Sequence, residues 1–403
     1  MNSNLNLLHP YPFSKMATLL ADITPASDYA PIKLGIGEPK HLPPQFVLDE
    51  LIAHAGKVQN YPTTGGIPEL SQTIADWLKQ RFNLNDINPT SEVIPVMGTR
   101  EAIFSFVQAC IDTTCTDDTP NQKPVIVMPN PFYQIYEGAA ILAEAEPYYV
   151  PCTPENNFKA DYHQVPAEIW ERTQLLFVCS PNNPTGSVLS ENDWKELIAL
   201  SDKYNFIIAS DECYSELYFD APPVGLLEVC AKLERNDYKN CVVFHSLSKR
   251  SNLPGLRSGF IAGDANLLKP YLQYRTYQGC AMPIHHQYAS IKAWQDEEHV
   301  EANRVLYREK FALWMQELGD LLELRHPDAS FYFWVKVPDK FNNDDEHFVK
   351  ELLEKVNIYA LAGRYLSREV NGYNPGKGYV RLALVASVEE SQEAIKRIKT
   401  LLA

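Results

Sequence analysis

The chain has 403 residues, of which 45% are hydrophobic and 22% are charged, and its formal net charge is −15 at pH 7. This length predicts two or three domains, and the composition is that of a globular protein with enough apolar material for a large core. The negative charge makes nucleic acid a poor partner, because phosphate backbones bind to basic surfaces. It does not exclude a small anionic substrate, since local arginines can bind one.

The cysteines and the apolar runs predict a cytoplasmic protein without a metal site. Residues 1–15 lack the basic start and apolar run of a signal peptide, and no apolar run reaches the roughly 18 residues of a membrane span. The cysteines form no CxxC pair, which is typical of reduced core thiols. They are Cys110, Cys115, Cys152, Cys179, Cys213, Cys230, Cys241 and Cys280.

The first third of the chain predicts helices over 13–20, 46–55 and 69–81, and a strand over 93–96 followed by a helix from residue 98. Gly37 closes a short apolar segment, where a glycine lets another group approach the backbone. Tyr61 lies in a turn that looks exposed. Thr99 and Arg100 open the helix after the strand, and free N–H groups and the helix dipole make such a place a natural anion site.

From residue 124 onward, short apolar strands alternate with helices. Strands are predicted over 125–128, 175–179, 206–209, 242–244 and 259–262, and helices over 136–145 and 191–204. This alternation predicts a mainly parallel sheet covered by helices on both faces. Ligands of such sheets bind in the loops beyond the carboxyl ends of the strands.

After about residue 265 the pattern changes to longer helices with two strands. Helices are predicted over 286–294, 300–318, 346–355 and 388–402, and strands over 331–337 and 378–384. The pattern predicts a second, smaller α/β unit. We therefore expect an N-terminal arm with part of the small domain over 1–45, a large domain over 46–290 and a small domain over 291–403.

Unusual residues follow the predicted strands of the large unit. Asn183 lies in a rigid Pro/Gly loop, where its amide can donate a fixed hydrogen bond. Asp211 ends a strand and could keep a basic ring nitrogen protonated, with Tyr214 in reach of a phenolic oxygen of that ring. Tyr133 could stack on a flat cofactor. Each residue alone is equally compatible with a plain turn, a solvated acidic cap or a packing tyrosine.

Lys249 lies between small hydroxyl residues, Ser246 and Ser248, in a segment that continues to Arg257. A lysine in this setting can be a buried amine that forms a Schiff base, and the hydroxyls and the arginine can hold a phosphate. The alternative is a solvated loop. Arg381 interrupts an apolar strand, and burial of a guanidinium is costly unless a carboxylate of the protein or of a substrate meets it.

Together and in this order, these motifs resemble the fold-type-I, pyridoxal-phosphate-dependent aminotransferases of class I/II, over residues 35–381. The resemblance implies a large domain with a mainly parallel seven-stranded sheet between helices, a smaller α/β domain and a homodimer with shared active sites. Four segments are similar to the bacterial succinyldiaminopimelate aminotransferases: 10–13, 246–264, 274–282 and 366–376.

The resemblance also implies a role for each site residue. Lys249 would hold pyridoxal 5'-phosphate as an internal aldimine and act as the base, and Asp211 would keep the ring nitrogen protonated. The remaining cofactor contacts would come from Asn183 and Tyr214 to the ring oxygen, Tyr133 by stacking, Tyr61 from the partner subunit, and Thr99, Arg100, Ser246, Ser248 and Arg257 to the phosphate. The substrate α-carboxylate would bind to Arg381, Asn183 and the Gly37 backbone. Thr99-Arg100 stands where many relatives have Ser-Lys, which leaves the role of the Arg100 side chain open.

The implied reaction is a ping-pong amino transfer between glutamate/2-oxoglutarate and N-succinyl-2-amino-6-oxopimelate, in lysine and diaminopimelate biosynthesis. Arg275, Tyr277 and Arg364 are candidates for reading the succinyl end, although structural roles are the commoner use of such residues. The alternatives are an aminotransferase for aspartate, aromatic or acetylornithine-type substrates, a β-lyase, and a pyridoxal-binding regulator. The regulator is disfavoured because neither end of the chain carries a basic DNA-binding segment.

Overall fold

A computed structural model describes residues 1–114 and 122–403 of the chain, so Cys115 lies outside the described residues. Within these ranges the strands are β1 (Ile32–Lys33), β2 (Val93–Val96), β3 (Val125–Asn130), β4 (Glu146–Pro151), β5 (Thr173–Cys179), β6 (Ile207–Asp211), β7 (Cys241–Ser246), β8 (Gly259–Gly263), β9 (Tyr332–Lys336), β10 (Ile358–Tyr359), β11 (Leu361–Ala362) and β12 (Tyr379–Ala383).

The α-helices over the same ranges are α1 (Pro12–Leu19), α2 (Gln45–Ala53), α3 (Pro68–Phe82), α4 (Thr99–Cys110), α5 (Ile135–Leu142), α6 (Ala167–Trp170), α7 (Glu191–Tyr204), α8 (Leu226–Lys232), α9 (Leu247–Arg250), α10 (Ala265–Gln278), α11 (Ile284–Gln295), α12 (Glu298–Leu318), α13 (Asp345–Val356) and α14 (Val388–Leu402). In the described part of the chain, none of these helices combines the length and the apolarity that crossing a bilayer requires.

The largest sheet has seven strands in the order β2-β8-β7-β6-β5-β3-β4. Strand β8 is antiparallel to both of its neighbours, and the other pairs are parallel. The predicted mainly parallel sheet is therefore confirmed. Strands β3 and β7 are buried along their whole length, as expected of central strands with helices on both faces.

The register of this sheet brings several chain segments to one edge. Val96 at the end of β2 pairs with Gly259, which in turn pairs with Ser246 at the end of β7. Asp211 ends β6, which strands β7 and β8 separate from β2, the strand that precedes α4. Because the carboxyl ends of β2, β5, β6 and β7 meet at this edge, the loops that follow them can form one ligand site.

A second apolar core lies around two smaller sheets. Strands β11, β12 and β9 form an antiparallel sheet, and β1 pairs in parallel with β10. Met16 and Ile32 from the N-terminal arm are buried there together with Trp314 and Phe333. The arm thus contributes to the C-terminal core, and the division at residues 45 and 290 stays our proposal.

Several elements of the fold were not predicted, among them β4, α8 and α10. Strand β4 contains two prolines and forms the edge of the large sheet, the position in which a strand tolerates proline. Helix α10 contains Pro270, a residue that disfavours a helix interior. Helix α8 has only seven residues, which is too short for a periodic pattern to identify it.

Candidate active site

A cavity of about 580 Å³ lies at the carboxyl edge of the large sheet. Its wall contains twelve of the thirteen site residues that the sequence predicts: Gly37, Thr99, Arg100, Tyr133, Asn183, Asp211, Tyr214, Ser246, Ser248, Lys249, Arg257 and Arg381. The thirteenth, Tyr61, is 99% exposed and does not line the cavity. Its predicted place in a partner's site stays a prediction.

The Lys249 amine faces this cavity from the short helix α9. Ser246 caps the helix, since its hydroxyl accepts a hydrogen bond from the Ser248 amide at 3.1 Å. The Nζ atom of Lys249 donates to the carbonyl oxygen of Gly37 at 2.5 Å. Burial, opposed by Cys213 and assisted by the guanidinium of Arg381, lowers the pKa of Lys249 to about 8. A substantial fraction of this amine is therefore neutral near physiological pH, as a nucleophile or a base must be.

Asp211 is a buried carboxylate at the end of β6. It accepts hydrogen bonds from the Tyr136 hydroxyl at 2.7 Å and from the Cys213 amide at 3.3 Å. Burial raises the pKa of Asp211, while both hydrogen bonds lower it. A cationic ring nitrogen beside the carboxylate would oppose the effect of burial. Tyr136 was not among the predicted site residues, because a tyrosine in an apolar helix is typical of a core.

Two hydrogen bonds that involve tyrosine hydroxyls hold side chains of the cavity wall. The Nε atom of Arg100 donates to the Tyr133 hydroxyl at 2.6 Å, which answers where the Arg100 side chain lies. The hydroxyls of Tyr214 and Tyr332 are 2.9 Å apart. Burial raises the pKa of Tyr214 well above its ordinary value, so this phenol stays protonated and can donate a hydrogen bond. Tyr332 was not singled out because it lies in an aromatic strand that reads as core.

The groups predicted for the phosphate form a cluster of donors on one side of the cavity. Thr99 begins α4 directly after Gly98, which has a φ of 83°. A side chain at Gly98 would collide with the guanidinium of Arg257, so glycine is required for this close approach. Nη1 of Arg257 donates to the Pro254 carbonyl at 2.9 Å. A helix N-terminus, serine hydroxyls and an arginine together suit a phosphate group.

Arg381 is a buried cation without a carboxylate partner among the described residues. Its Nη1 donates to Oδ1 of Asn183 at 2.9 Å, and its Nη2 donates to the Gly35 carbonyl at 2.8 Å. Its Nε atom is buried and makes no hydrogen bond within the described part of the chain. A guanidinium that lacks a protein carboxylate in a cavity is a site for the carboxylate of a ligand.

The candidates for the succinyl end do not line the cavity, and both arginines have the structural roles that are the commoner use of such residues. Arg275 is fully buried and pairs with Glu101 at 2.8 Å. Arg364 pairs with Asp344 at 2.8 Å and Asp345 at 2.7 Å. These ion pairs consume the two guanidinium groups inside the chain. Tyr277 is 87% exposed and also lies off the cavity wall.

The residues present fit pyridoxal phosphate. The cavity offers an amine of lowered pKa, a buried carboxylate for a ring nitrogen, a protonated phenol for a ring oxygen and a donor cluster for the phosphate, which are the four groups that this cofactor presents to a protein. They belong to strand-end loops that the sheet register brings together.

Comparison with known proteins agrees with this geometry. The chain matches the family model described as aminotransferase class I and II over residues 30–398. It is similar to an aminotransferase from Neisseria meningitidis, with 48% identity, a TM-score of 0.93, and coverage of 99% of this chain and 100% of that one. The aminotransferase AspB from Helicobacter pylori is 36% identical with a TM-score of 0.87, and 98% of each chain is covered.

One group of curated relatives carries a more specific name. The LL-diaminopimelate aminotransferase of Syntrophobacter fumaroxidans is 31% identical over 404 residues, which cover 98% of this chain and 97% of that protein. The protein of the same name from Aquifex aeolicus is also 31% identical, over 407 residues, with 99% and 98% covered.

Proposed function

The chain belongs to the aminotransferases of class I and II, and we propose that it moves an amino group between glutamate/2-oxoglutarate and N-succinyl-2-amino-6-oxopimelate. The product, N-succinyl-LL-2,6-diaminopimelate, places the reaction in lysine and diaminopimelate biosynthesis. Members of this family depend on pyridoxal phosphate. The observation that carries the proposal is a cavity that holds the Lys249 amine together with two arginines, Arg381 and Arg100.

Pyridoxal phosphate, when bound, supplies a ring that accepts the electrons left on the substrate Cα after proton loss. The protein supplies the proton movement and the orientation. Lys249, with a pKa lowered to about 8 by burial, is partly neutral at physiological pH and can take the Cα proton. Arg381 binds the α-carboxylate and thereby fixes the direction of the Cα–H bond.

The buried groups around the ring hold their protons in the required places. Asp211 carries the negative charge that keeps a ring nitrogen protonated, and the Tyr136 hydroxyl stabilises that charge. Tyr214 stays protonated through burial and donates to a ring oxygen, while Tyr332 fixes its hydroxyl. Each of these groups is set before the substrate arrives, which lowers the cost of reorganisation.

We infer the substrate class from Arg100 and from the apolar residues of the cavity wall. Arg100 uses Nε for Tyr133, and within the described residues no hydrogen bond occupies its two terminal nitrogens. A second carboxylate can bind there while Arg381 binds the first. The cavity wall also contains apolar residues that suit the methylene groups of a long dicarboxylate, beside the polar Tyr11, Glu38 and Gln134; the apolar ones are Pro12, Phe13, Ile36, Leu361 and Leu366.

We also propose that the chain acts as a homodimer to whose partner cavity Tyr61 contributes. The support is the exposure of three large apolar side chains within residues 52–61: Ile52 is 71% exposed, Val58 is 70% exposed and Tyr61 is 99% exposed. Large exposed apolar side chains in one segment are typical of a surface that another protein covers. The cytoplasmic location stays a prediction.

A second candidate substrate is LL-diaminopimelate without the succinyl group. It is favoured by the name of the relatives that are 31% identical over nearly the whole chain. The two substrates share the seven-carbon dicarboxylate skeleton and differ at the distal amine, which is a cation in one and a neutral amide ending in a carboxylate in the other.

The test offers both diamino acids as amino donors to the cofactor-loaded protein, with 2-oxoglutarate as acceptor, and measures the glutamate formed. The proposal expects a higher kcat/KM for N-succinyl-LL-2,6-diaminopimelate than for the free LL isomer. The reverse order would establish the second candidate. Preference for aspartate or an aromatic amino acid over both would show that the diaminopimelate assignment is wrong, and ammonia release without an oxo acid would indicate a lyase.

A further inference from the structure

Lys310 is a buried cation that the reaction described above does not use. It lies in helix α12 and is fully buried. Its Nζ atom donates to the Ala386 carbonyl at 3.0 Å and contacts Nε2 of His41 at 2.9 Å. Among the described residues it has no carboxylate within ion-pair distance. Its position therefore needs an explanation other than a salt bridge.

The contact with Lys310 fixes the protonation of the His41 ring. When Lys310 is an ammonium group it only donates, so Nε2 of His41 then accepts and the ring is neutral. The proton then lies on Nδ1, which donates to Oδ1 of Asn303 at 2.7 Å. Burial lowers the pKa of His41 and the nearby Lys310 lowers it further, which is consistent with a neutral ring.

Asn303 continues this chain of hydrogen bonds to the catalytic lysine. Its Oδ1 also accepts from Nδ2 of Asn252 at 3.0 Å, just beyond helix α9. Its Nδ2 donates to the Lys249 carbonyl at 3.5 Å. Four residues before His41, the Gly37 carbonyl accepts from the Lys249 amine. The network thus reaches Lys249 in two ways. Asn303 bonds the Lys249 carbonyl, and the loop that contains His41 also contains Gly37, which accepts from the Lys249 amine.

We propose that Lys310 is a positioning residue for the amino-transfer reaction: through His41 it fixes the loop 37–41, so that the Gly37 carbonyl holds the Lys249 amine at the cavity. This inference rests on the proposed function only in taking Lys249 as the catalytic group of an amino-transfer reaction. The loop and its contacts are properties of the chain itself.

Stability alone does not account for a lysine at this position. A buried charge without a carboxylate partner destabilises a fold, and an apolar side chain of the same length would fill the space at lower cost. A role of the Lys310–His41 hydrogen bond in positioning the loop 37–41 would explain why a lysine stands here. The ring of His41 also packs on Tyr307, with centroids 4.7 Å apart, but that contact does not require a lysine.

The link is strongest when Lys310 is charged, because charge-assisted hydrogen bonds are the stronger ones. Burial lowers the pKa of Lys310 to about 7; Glu309 and Glu390 raise it, and Lys40 lowers it. Burial lowers the pKa of the neighbouring His41, so protonation of its ring is disfavoured. Loss of the Lys310 side chain should therefore slow the reaction more at pH 6 than at pH 9.

The experiment compares Lys310→Met, His41→Phe and the double variant with the wild type, each as the full chain loaded with pyridoxal phosphate. Single-turnover rates with glutamate are measured at pH 6 and pH 9. A displaced reacting group slows catalysis by between about tenfold and a hundredfold. We expect each single variant to slow the reaction by such a factor at pH 6 and less at pH 9, and the double variant to be no slower than either, since both break one link.

A control is Arg397→Met, which removes another buried cation that donates to backbone carbonyls, those of Ala30 and Val356, and that also pairs with Glu393 at 2.7 Å. Hydrogen exchange of the amides of residues 36–41 gives a readout that needs no activity. We expect faster exchange there in Lys310→Met than in Arg397→Met at equal loss of stability.

Two results would overturn the inference: unchanged exchange at residues 36–41 in Lys310→Met, or additive rate losses in the double variant. If Lys310→Met does not fold, His41→Phe, which removes the other partner of the same hydrogen bond, takes its place in the same measurements. A wild-type protein that does not react with glutamate would refute the proposed function, whereas the exchange result would still decide the role of Lys310.

Discussion

The hydroxyl of Tyr136 donates a hydrogen bond of 2.7 Å to Oδ2 of Asp211, and both side chains are buried. This bond favours the ionised carboxylate, whose pKa burial raises. A Tyr136→Phe substitution should therefore weaken the charge that holds the ring nitrogen. Hydrogen bonds to charged groups contribute about 1.5–3 kcal/mol, so we expect roughly a tenfold or greater loss in affinity for pyridoxal phosphate and in kcat. Equilibrium dialysis and steady-state rates measure both.

Tyr149→Phe is the matched control for this substitution. Tyr149 also donates to a buried carboxylate, that of Glu137, at 2.6 Å, but neither residue lines the cavity. We expect Tyr149→Phe to reduce stability in urea without lowering cofactor affinity. Equal losses of cofactor affinity in the two variants would contradict the role given to Tyr136.

Arg381→Lys should separate substrate binding from cofactor binding. Lysine keeps the charge but lacks the planar fork that can donate two parallel N–H bonds to a carboxylate while its nitrogens also bond Asn183 and Gly35. We expect kcat/KM for glutamate to fall by roughly ten- to a hundredfold. The visible absorbance of the bound cofactor should be unchanged. A variant that loses the cofactor instead would show that Arg381 supports the fold of the site rather than the substrate.

Arg100→Gln should discriminate between substrates with one and two carboxylates. The terminal nitrogens of Arg100 are the groups we assign to the second carboxylate, while Nε is held by Tyr133. We expect kcat/KM for glutamate to fall by roughly tenfold or more, as for other charge-assisted contacts. The value for alanine, which has no second carboxylate, should change little. A proportional loss for both substrates would place Arg100 at the phosphate alone.

The sequence predicted those parts of the site that local patterns encode. Lys249, Asp211 and Asn183 follow apolar strands, and parallel strands bring their carboxyl ends to one edge, so their meeting in one cavity could be foreseen. Tyr136 and Tyr332 could not be assigned, because each lies in an element where an aromatic residue reads as core. Lys310 and His41 are 269 residues apart, and their contact depends on how helix α12 packs against the arm. A single sequence contains no local signal for such a pair.

The lowered pKa of Lys249 predicts how the cofactor-free protein captures pyridoxal phosphate. Burial lowers this pKa from the usual 10.5 to about 8, so the neutral, nucleophilic amine appears as pH rises through 8. The capture rate should rise with pH and level off above about pH 8, as followed by absorbance. Between the folded pKa of about 8 and the unfolded value of 10.5, the unfolded chain binds more protons than the folded one. The free energy of unfolding should therefore rise with pH over this interval. Lys249→Met should lose the capture and also this part of the stability gain, whereas a capture rate that still climbs at pH 10 would show that the amine is not perturbed by burial.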